Sequence, residues 1–550
     1  MNPELNTLRQ RYSDEALTYI PRLFLMIDRN QYSPTYGCFD RSYWHYRTMD
    51  FPCGMSQEFV LPLALAYSYP FPNNPYYHVE RVKELALAGI RYAMQSSHKN
   101  GTCDDYFPNE RALGALVFSL NAFCESLSVL NEKPDDLLEF VHRRASYLKS
   151  HNESGKLTNH QALAALALHG AYDLTGDTSL LDASKHFVSI VQSWQSSEGW
   201  FQEYEGADPG YHSCTISFLA RLFKKNHDTS LLDILNPAVD FAWYFMHPDG
   251  SYAGEYGSRN TYHFYPYGFE IMAPYNEKAA QIADHFLQQS IPHRTRYYND
   301  DDRMCAHYLY DWLQSYIDFS ETRSSSSILK TPSYHKWFEQ AKIFVNHTDT
   351  YHAVANLSKG GVIKVFGKDG PIYSDTGVIA KQTDGKVIVS HLIHENNRVS
   401  FDENTKRLVV FGQLDVRGAK YSSPTRQILF RVLNISMGLF NENLLRKFLQ
   451  KVLITGKKKT SVEFKRELTF RDDDIEIVTE FHSDKVQTKL LSAHIASDAT
   501  SIYVANSNVF QQSVLLPWIP LDKFCMTFNE KGQACVRVNI KPGDISVKES

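Results

Sequence analysis

The chain has 550 residues, 43% hydrophobic and 22% charged, and its 57 basic and 62 acidic side chains leave a formal net charge of −5. A chain this long buries most of its apolar surface and divides into roughly two to four domains. The slight acidic excess excludes a nucleic-acid protein, because neutralising a phosphate backbone calls for a concentrated basic surface. Aromatics make up 13%, with 33 Tyr and 33 Phe, a composition suited to stacking on flat polar ligands such as sugars.

The opening Met1-Asn2-Pro3-Glu4-Leu5-Asn6 has no basic or apolar leader character, and no later window approaches about 18 uninterrupted apolar residues, so neither an export signal nor a membrane span is read. The cysteines at 38, 53, 103, 124, 214, 305, 525 and 535 form no Cys-x-x-Cys pair. They read as reduced thiols of a cytoplasmic protein; a periplasmic or secreted chain trimmed of its leader would look the same.

From about residue 55 to 320, apolar residues recur at helical spacing between short Gly, Pro, Asn or Asp breaks. The clearest segments are 79–97, 110–130, 135–149, 159–174, 179–195, 213–225 and 231–246, with later ones near 276–290 and 303–319. Entry residues such as Lys133-Pro134-Asp135 and Asn236-Pro237 mark helix starts. Helices in such pairs predict an (α/α) toroid or incomplete barrel over residues 1–325. The run Ser320-Glu321-Thr322-Arg323-Ser324-Ser325-Ser326-Ser327 breaks the pattern, and a boundary is expected between 320 and 345. Short β-branched runs follow at 361–366, 386–389, 407–411, 475–478 and 501–504, with one helical interruption at 444–451. Residues 326–550 therefore read as an antiparallel β-sheet or β-sandwich domain, making an α+β multidomain chain.

Three motifs stand out. Leu157-Thr158-Asn159-His160 opens an apolar helix. Glu205-Gly206-Ala207-Asp208-Pro209-Gly210-Tyr211 and Gly254-Glu255-Tyr256-Gly257-Ser258-Arg259-Asn260-Thr261 come later. This series, with Ser358-Lys359-Gly360-Gly361-Val362-Ile363-Lys364-Val365-Phe366 at the start of the β region, resembles the heparinase II/III-like polysaccharide lyases and the related alginate lyases and uronyl epimerases of toroid-plus-sheet build. The resemblance implies a cleft lined by Asn159, His160 and Tyr211. To cleave a uronate by β-elimination, an enzyme removes the proton on C5 beside a carboxylate whose charge must first be neutralised. Asn159 and His160 are the expected neutralising pair. Tyr211 is the expected base, acid or both, its pKa depressed by a cation for which Arg259 is the candidate.

The local alternatives are plain ones: Asn159 as a helix cap, Tyr211 as a core aromatic, Arg259 as a structural ion-pair partner. Glu205 is read either as the acceptor that fixes the His160 tautomer or as a solvated loop residue. Tyr256 and His263 are placed on a sugar-facing loop. Trp44 and Arg47, in the aromatic and basic run 36–47, form either a sugar platform or a strip packed across one end of the toroid. Asp300-Asp301-Asp302 lacks the alternating spacing of a calcium loop, and no His/Cys cluster has zinc-ligand spacing; no metal or cofactor is expected. The resemblance also implies a second histidine early in the β domain. At that place the chain reads Phe366-Gly367-Lys368-Asp369-Gly370-Pro371, leaving His352, His391 and His394 as substitutes. A lyase on an acidic polysaccharide or oligosaccharide, a uronyl C5-epimerase, and a non-catalytic glycan-binding protein are the functions open at this point.

Overall fold

The computed structural model describes residues 3–153, 155–291, 305–394, 396–417, 423–437, 459–484, 489–498 and 511–550. The sequence-predicted helix at 444–451, the strand at 501–504 and the Asp300–Asp302 run lie outside these residues.

Among the described residues, twelve α-helices of six residues or more build the N-terminal part, besides the short helical turn Arg41–Trp44: α1 Pro3–Met26, α2 Val60–Ser68, α3 Glu80–Ser96, α4 Leu113–Leu130, α5 Asp135–Lys149, α6 Thr158–Thr175, α7 Ser179–Ser193, α8 Pro209–Asn226, α9 Leu232–Trp243, α10 Tyr267–Met272, α11 Glu277–His285 and α12 Cys305–Ile317. The even-numbered helices pack on one another in the order α2, α4, α6, α8, α10, α12, and α12 returns to α2. The toroid is thus a closed ring. The odd-numbered helices lie outside it, each against an inner neighbour.

Sequence decides which helix goes inside. In α4 and α6 nearly every side chain is buried, whereas α3, α5 and α7 bury one stripe each, the pattern of a helix with one wet face. By composition α4 is long and apolar enough to cross a bilayer, but 83% of it is buried in the ring. The helix α1 escaped the sequence reading because only Tyr12, Ser13, Ala16, Ile20, Leu23 and Met26 turn inward from a largely polar segment.

Because outer helices alternate with inner ones, the inner six run the same way. Their N-terminal ends meet at one mouth: the His160 ring lies edge-on to Phe118, which stacks on His307 at 4.4 Å. Their C-terminal ends surround a cavity of about 210 Å³ lined by Leu65, Glu125, Arg221, Lys225, Gln314 and Asp318 among others.

The change to strands falls between Ile317 and Tyr334. Strands β3 Tyr334–Phe338, β4 Ile343–His347, β5 His352–Asn356, β6 Val362–Gly367 and β7 Gly370–Asp375 form an antiparallel meander. A ten-stranded antiparallel sheet follows, containing β8 Val378–Gln382, β9 Val387–Val389, β11 Arg407–Arg417, β12 Lys459–Phe470 and β13 Ile475–His482. The meander is covered on both faces. Ile343, Val345, Val354 and Val362 belong to the toroid core. The alternate residues Phe344, Ala353, Ala355, Ile363 and Val365 belong to the core shared with the larger sheet. This two-sided burial explains why these strands read as unbroken apolar runs rather than alternating ones.

A buried ion pair ties the sheets together. Arg466 of β12, buried, donates through Nη1 to Asp375 Oδ1 of β7 at 3.1 Å and through Nη2 to Oδ2. Removing one partner leaves the other charged and dry, which costs about 3–5 kcal/mol. Arg466→Met is therefore expected to lower the unfolding free energy by that amount in urea titration, and Arg466→Met with Asp375→Leu to recover most of the loss.

Candidate functional site

The mouth of the ring takes its chemistry from three chain segments: the start of α6, the hairpin β1 Gln202–Glu203 with β2 Gly206–Ala207 leading into α8, and the irregular loop between α9 and α10 that carries Arg259. Asp208 joins the last two. As N-cap of α8 it accepts from the Tyr211 N–H through Oδ1 at 3.0 Å; Oδ2 accepts from the Arg259 N–H at 2.8 Å, and Oδ1 also takes the Thr261 hydroxyl. Pro209 at the first helical position fits the entry. Gly257 is required there: a Cβ on it would stand 2.5 Å from Asp208 Oδ2.

Held this way, Arg259 is 5% exposed and its guanidinium lies over two rings, 4.9 Å from the centroid of Tyr211 and 4.4 Å from that of Tyr204. Its Nη1 is 4.0 Å from Glu203 Oε2. Glu203, fully buried, receives the Asn159 backbone N–H at 2.9 Å and the Asn159 side-chain Nδ2 at 3.0 and 3.1 Å. Burial pushes the Glu203 carboxyl up to about 7, against the pull of Arg259 and Asn159.

Asn159, Glu203, Tyr211 and Arg259 thus form one contact group. His160 joins it electrostatically, with Glu203 and Arg259 among the charges that act on it. Burial pulls the His160 imidazole down to about 4. The ring is therefore neutral at pH 7 and donates Nδ1–H to the carboxylate of Glu153. Gly114 makes room for it, since a Cβ there would stand 3.0 Å from His160 Cε1.

The roles expected from sequence shift in four places. First, the Tyr211 phenol is pushed up to about 12 because burial outweighs the attraction of Arg259; it keeps its proton at neutral pH. Second, the Asn159 amide nitrogen is committed to Glu203, so among the described groups Arg259 is left as the cation for a substrate carboxylate. Third, the carboxylate that meets His160 is Glu153, and Glu205 is exposed in the turn between β1 and β2. Fourth, Tyr256 is 0% exposed and its hydroxyl bonds His247 at 2.9 Å, so it is a core residue and not a sugar contact.

His263 is also buried; its Nδ1 meets the Tyr308 hydroxyl and its ring stands edge-on to Tyr211 at 5.0 Å. It supports Tyr211 from behind. Trp44 donates Nε1–H to the Met26 carbonyl at 2.7 Å, a packing contact, and Arg47 is exposed with φ 55°.

The three β-domain histidines differ sharply. His352 is buried beside His347 and His247, and burial takes it down to about 3. His391 is buried near Lys359 and Arg417 and is likewise pulled down to about 3. His394 pairs with Asp415 through Nε2 at 2.6 Å and stays partly exposed. Its neighbour Ile393 reaches Gly206 of the β1–β2 hairpin, where a Cβ would lie 3.8 Å from Ile393 Cδ1.

Sequence reasoning missed Glu203, Glu153 and Tyr204, and it missed Glu58 with His307, a buried pair 2.5 Å apart under Phe118. The Asp208-Pro209-Gly210 turn was the available signal for Asp208. Among the described residues no group of three or more His, Cys, Asp or Glu side chains is arranged to hold a metal ion.

No family model matches this chain, and no curated protein does. Solved structures do. The chondroitin AC lyase of Streptomyces coelicolor A3, in complex with chondroitin sulphate, matches over 90% of this chain and 68% of its own at 9% identity, with a TM-score of 0.56. Cellobiose 2-epimerase of Bacillus thermoamylovorans matches 57% of this chain and 100% of its own at 10% identity, with a TM-score of 0.43. The first likeness establishes the fold, a helical toroid followed by an antiparallel β domain.

The raised carboxyl of Glu203 has a measurable sign. Between about pH 4.5, where an unfolded Glu ionises, and about 7, the native state keeps a proton that the unfolded chain has lost, so this group's contribution falls as pH rises through that window. Glu203→Gln, which still accepts from Asn159, is expected to remove that loss. Urea midpoints measured below and above the window should show the variant gaining on the wild type as pH rises.

Proposed function

We propose that this protein is a polysaccharide lyase of the heparinase II/III-like kind, cleaving an acidic, uronate-containing glycan by β-elimination. The observation that carries the reading is the buried Arg259 guanidinium held against the Tyr211 ring at the mouth of the toroid. The chondroitin AC lyase of similar build, solved with chondroitin sulphate, supports an acidic glycan as the substrate class. The eight cysteines form no disulfide with one another, which supports a reducing, cytoplasmic setting.

In this reading the work is divided among three side chains. Arg259 neutralises the uronate carboxylate and holds the negative charge that develops on it as the C5–H bond weakens, an effect enlarged by burial. The neutral His160, its Nδ1–H fixed on Glu153, offers the Nε2 lone pair as the base that takes the C5 proton. Tyr211, protonated at neutral pH, gives its phenolic proton to O4 as the C4–O4 bond breaks. The C4=C5 double bond forms from the electron pair left on C5. No oxidant or cofactor enters this balance, and a later proton transfer from His160 to Tyr211 through water resets the site.

Incubation with alginate, hyaluronan and chondroitin sulphate is expected to release an unsaturated uronate detectable by its ultraviolet absorbance. Tyr211→Phe should keep the fold and lower kcat by about 10² to 10⁴. Full turnover in that variant would remove Tyr211 from the chemistry. Deuterium uptake at C5 without chain shortening would replace elimination by epimerisation, and binding without either would leave a glycan-binding protein.

A further inference from the structure

The loop from Tyr252 to Tyr262, which carries Arg259, has no regular helix or strand of its own, yet every residue in it is buried. Such a segment keeps a defined shape only if its backbone polar groups find partners elsewhere. Many of those partners come from the β domain. Gln511 donates Nε2–H to the Tyr252 carbonyl at 2.8 Å, and Asn356 of β5 donates Nδ2–H to the Tyr256 carbonyl at 2.6 Å. Lys364 of β6 pairs with the Glu255 carboxylate.

Lys359 is the centre of this grip. It sits in the turn between β5 and β6, 3% exposed, and its ammonium donates to three acceptors of the loop: the carbonyls of Glu255 and Gly257, the latter at 2.8 Å, and Asn260 Oδ1. Three donors meet three acceptors that flank Arg259 on both sides. An ammonium group with all its hydrogens used in this way fixes position as well as charge.

We infer that Lys359 is a positioning residue for Arg259: by capping the carbonyls of Glu255 and Gly257 and the side chain of Asn260, the β domain sets where the guanidinium stands over Tyr211. The inference rests on the lyase reading for its kinetic consequence but not for its structural one. Asp208 and Glu255 favour the charged amine, while burial and Lys364 act against it; burial dominates and pulls Lys359 down to about 7. His391, in the segment after β9, is a titratable neighbour, and burial, with Lys359 and Arg417 adding to it, pulls its imidazole down to about 3. Loss of the proton leaves two hydrogens for three acceptors.

The test uses Lys359→Met in the full chain, read by hydrogen exchange of the peptide spanning 252–262, by circular dichroism and by kinetics on whichever uronate polymer the wild type cleaves. The expected result is native circular dichroism, exchange in 252–262 faster by about tenfold or more, and kcat lowered by about 10² with KM changed far less, since a displacement of about 1 Å has that effect on a charge-stabilising group. Lys364→Met, which loses a contact to the Glu255 side chain rather than to the loop backbone, serves as a second variant and is expected to accelerate exchange less. If Lys359→Met does not fold, the same exchange comparison is made on wild type between about pH 6 and 9, corrected for intrinsic rates, with protection of 252–262 expected to fall as the amine loses its proton. Unchanged protection in 252–262 overturns the inference whatever the activity. If no polymer is cleaved by wild type, the exchange result still decides the matter, and the lyase reading fails separately.

Discussion

The Asp208 carboxylate is the constraint on which the candidate site depends. It is buried and accepts a helix N-terminal N–H, a loop N–H and a hydroxyl. Each of those donors belongs to a segment that bears a functional side chain. The helix end presents Tyr211, and the loop N–H belongs to Arg259 itself. A cap whose second oxygen is left over would ordinarily be a local device; here that oxygen orders a loop from another part of the ring. The close approach is possible only because Gly210 and Gly257 carry no Cβ: one on Gly210 would stand 2.1 Å from Thr261 Oγ1.

Around this joint the electrostatics sort three titratable groups in different directions. Burial raises the carboxyl of Glu203 and the phenol of Tyr211 and lowers the imidazole of His160. All three groups are moved toward their neutral forms beside Arg259, where burial is outweighed by the neighbouring phenols and carboxylates and the guanidinium is raised further above its usual value. Pairs of groups pushed apart by their surroundings are what acid–base chemistry at neutral pH requires.

Much of the toroid was legible in the sequence because the inner helices are buried nearly all round, and runs such as Leu113–Leu130 and Thr158–Thr175 show it. The outer α1 was not, since its inward stripe is thin. Of the meander strands only Val362–Gly367 was read, as the apolar run 361–366, and nothing in it told that one face serves the toroid and the other the second sheet. Tyr211 and Arg259 stood out through their glycine-rich approaches. Glu203 and Lys359 did not, because what makes each important is a partner far along the chain. Glu203 meets Asn159 and Arg259, and Lys359 meets the 255–260 stretch. A spacing rule reads neighbours on one helix; it has no access to a lysine that closes a gap between domains.

The parallel run of the six inner helices gives the ring a polarity. Helix N-terminal N–H groups gather at the mouth, where Glu203 and Asp208 cap two of them, and C-terminal carbonyls gather at the opposite end, each helix contributing about half an elementary charge at either pole. Arg221, Lys224 and Lys225 stand at the C-terminal pole, in or beside the last turn of α8, where cations answer the carbonyls. The outer helices run the other way and oppose this field from farther out, so what survives is a local effect at the inner-helix ends that line the mouth. On a chain of net charge −5 that local positive edge stands against an acidic background. Its reach is therefore about one helix turn, and it weakens as salt shortens the range of the field.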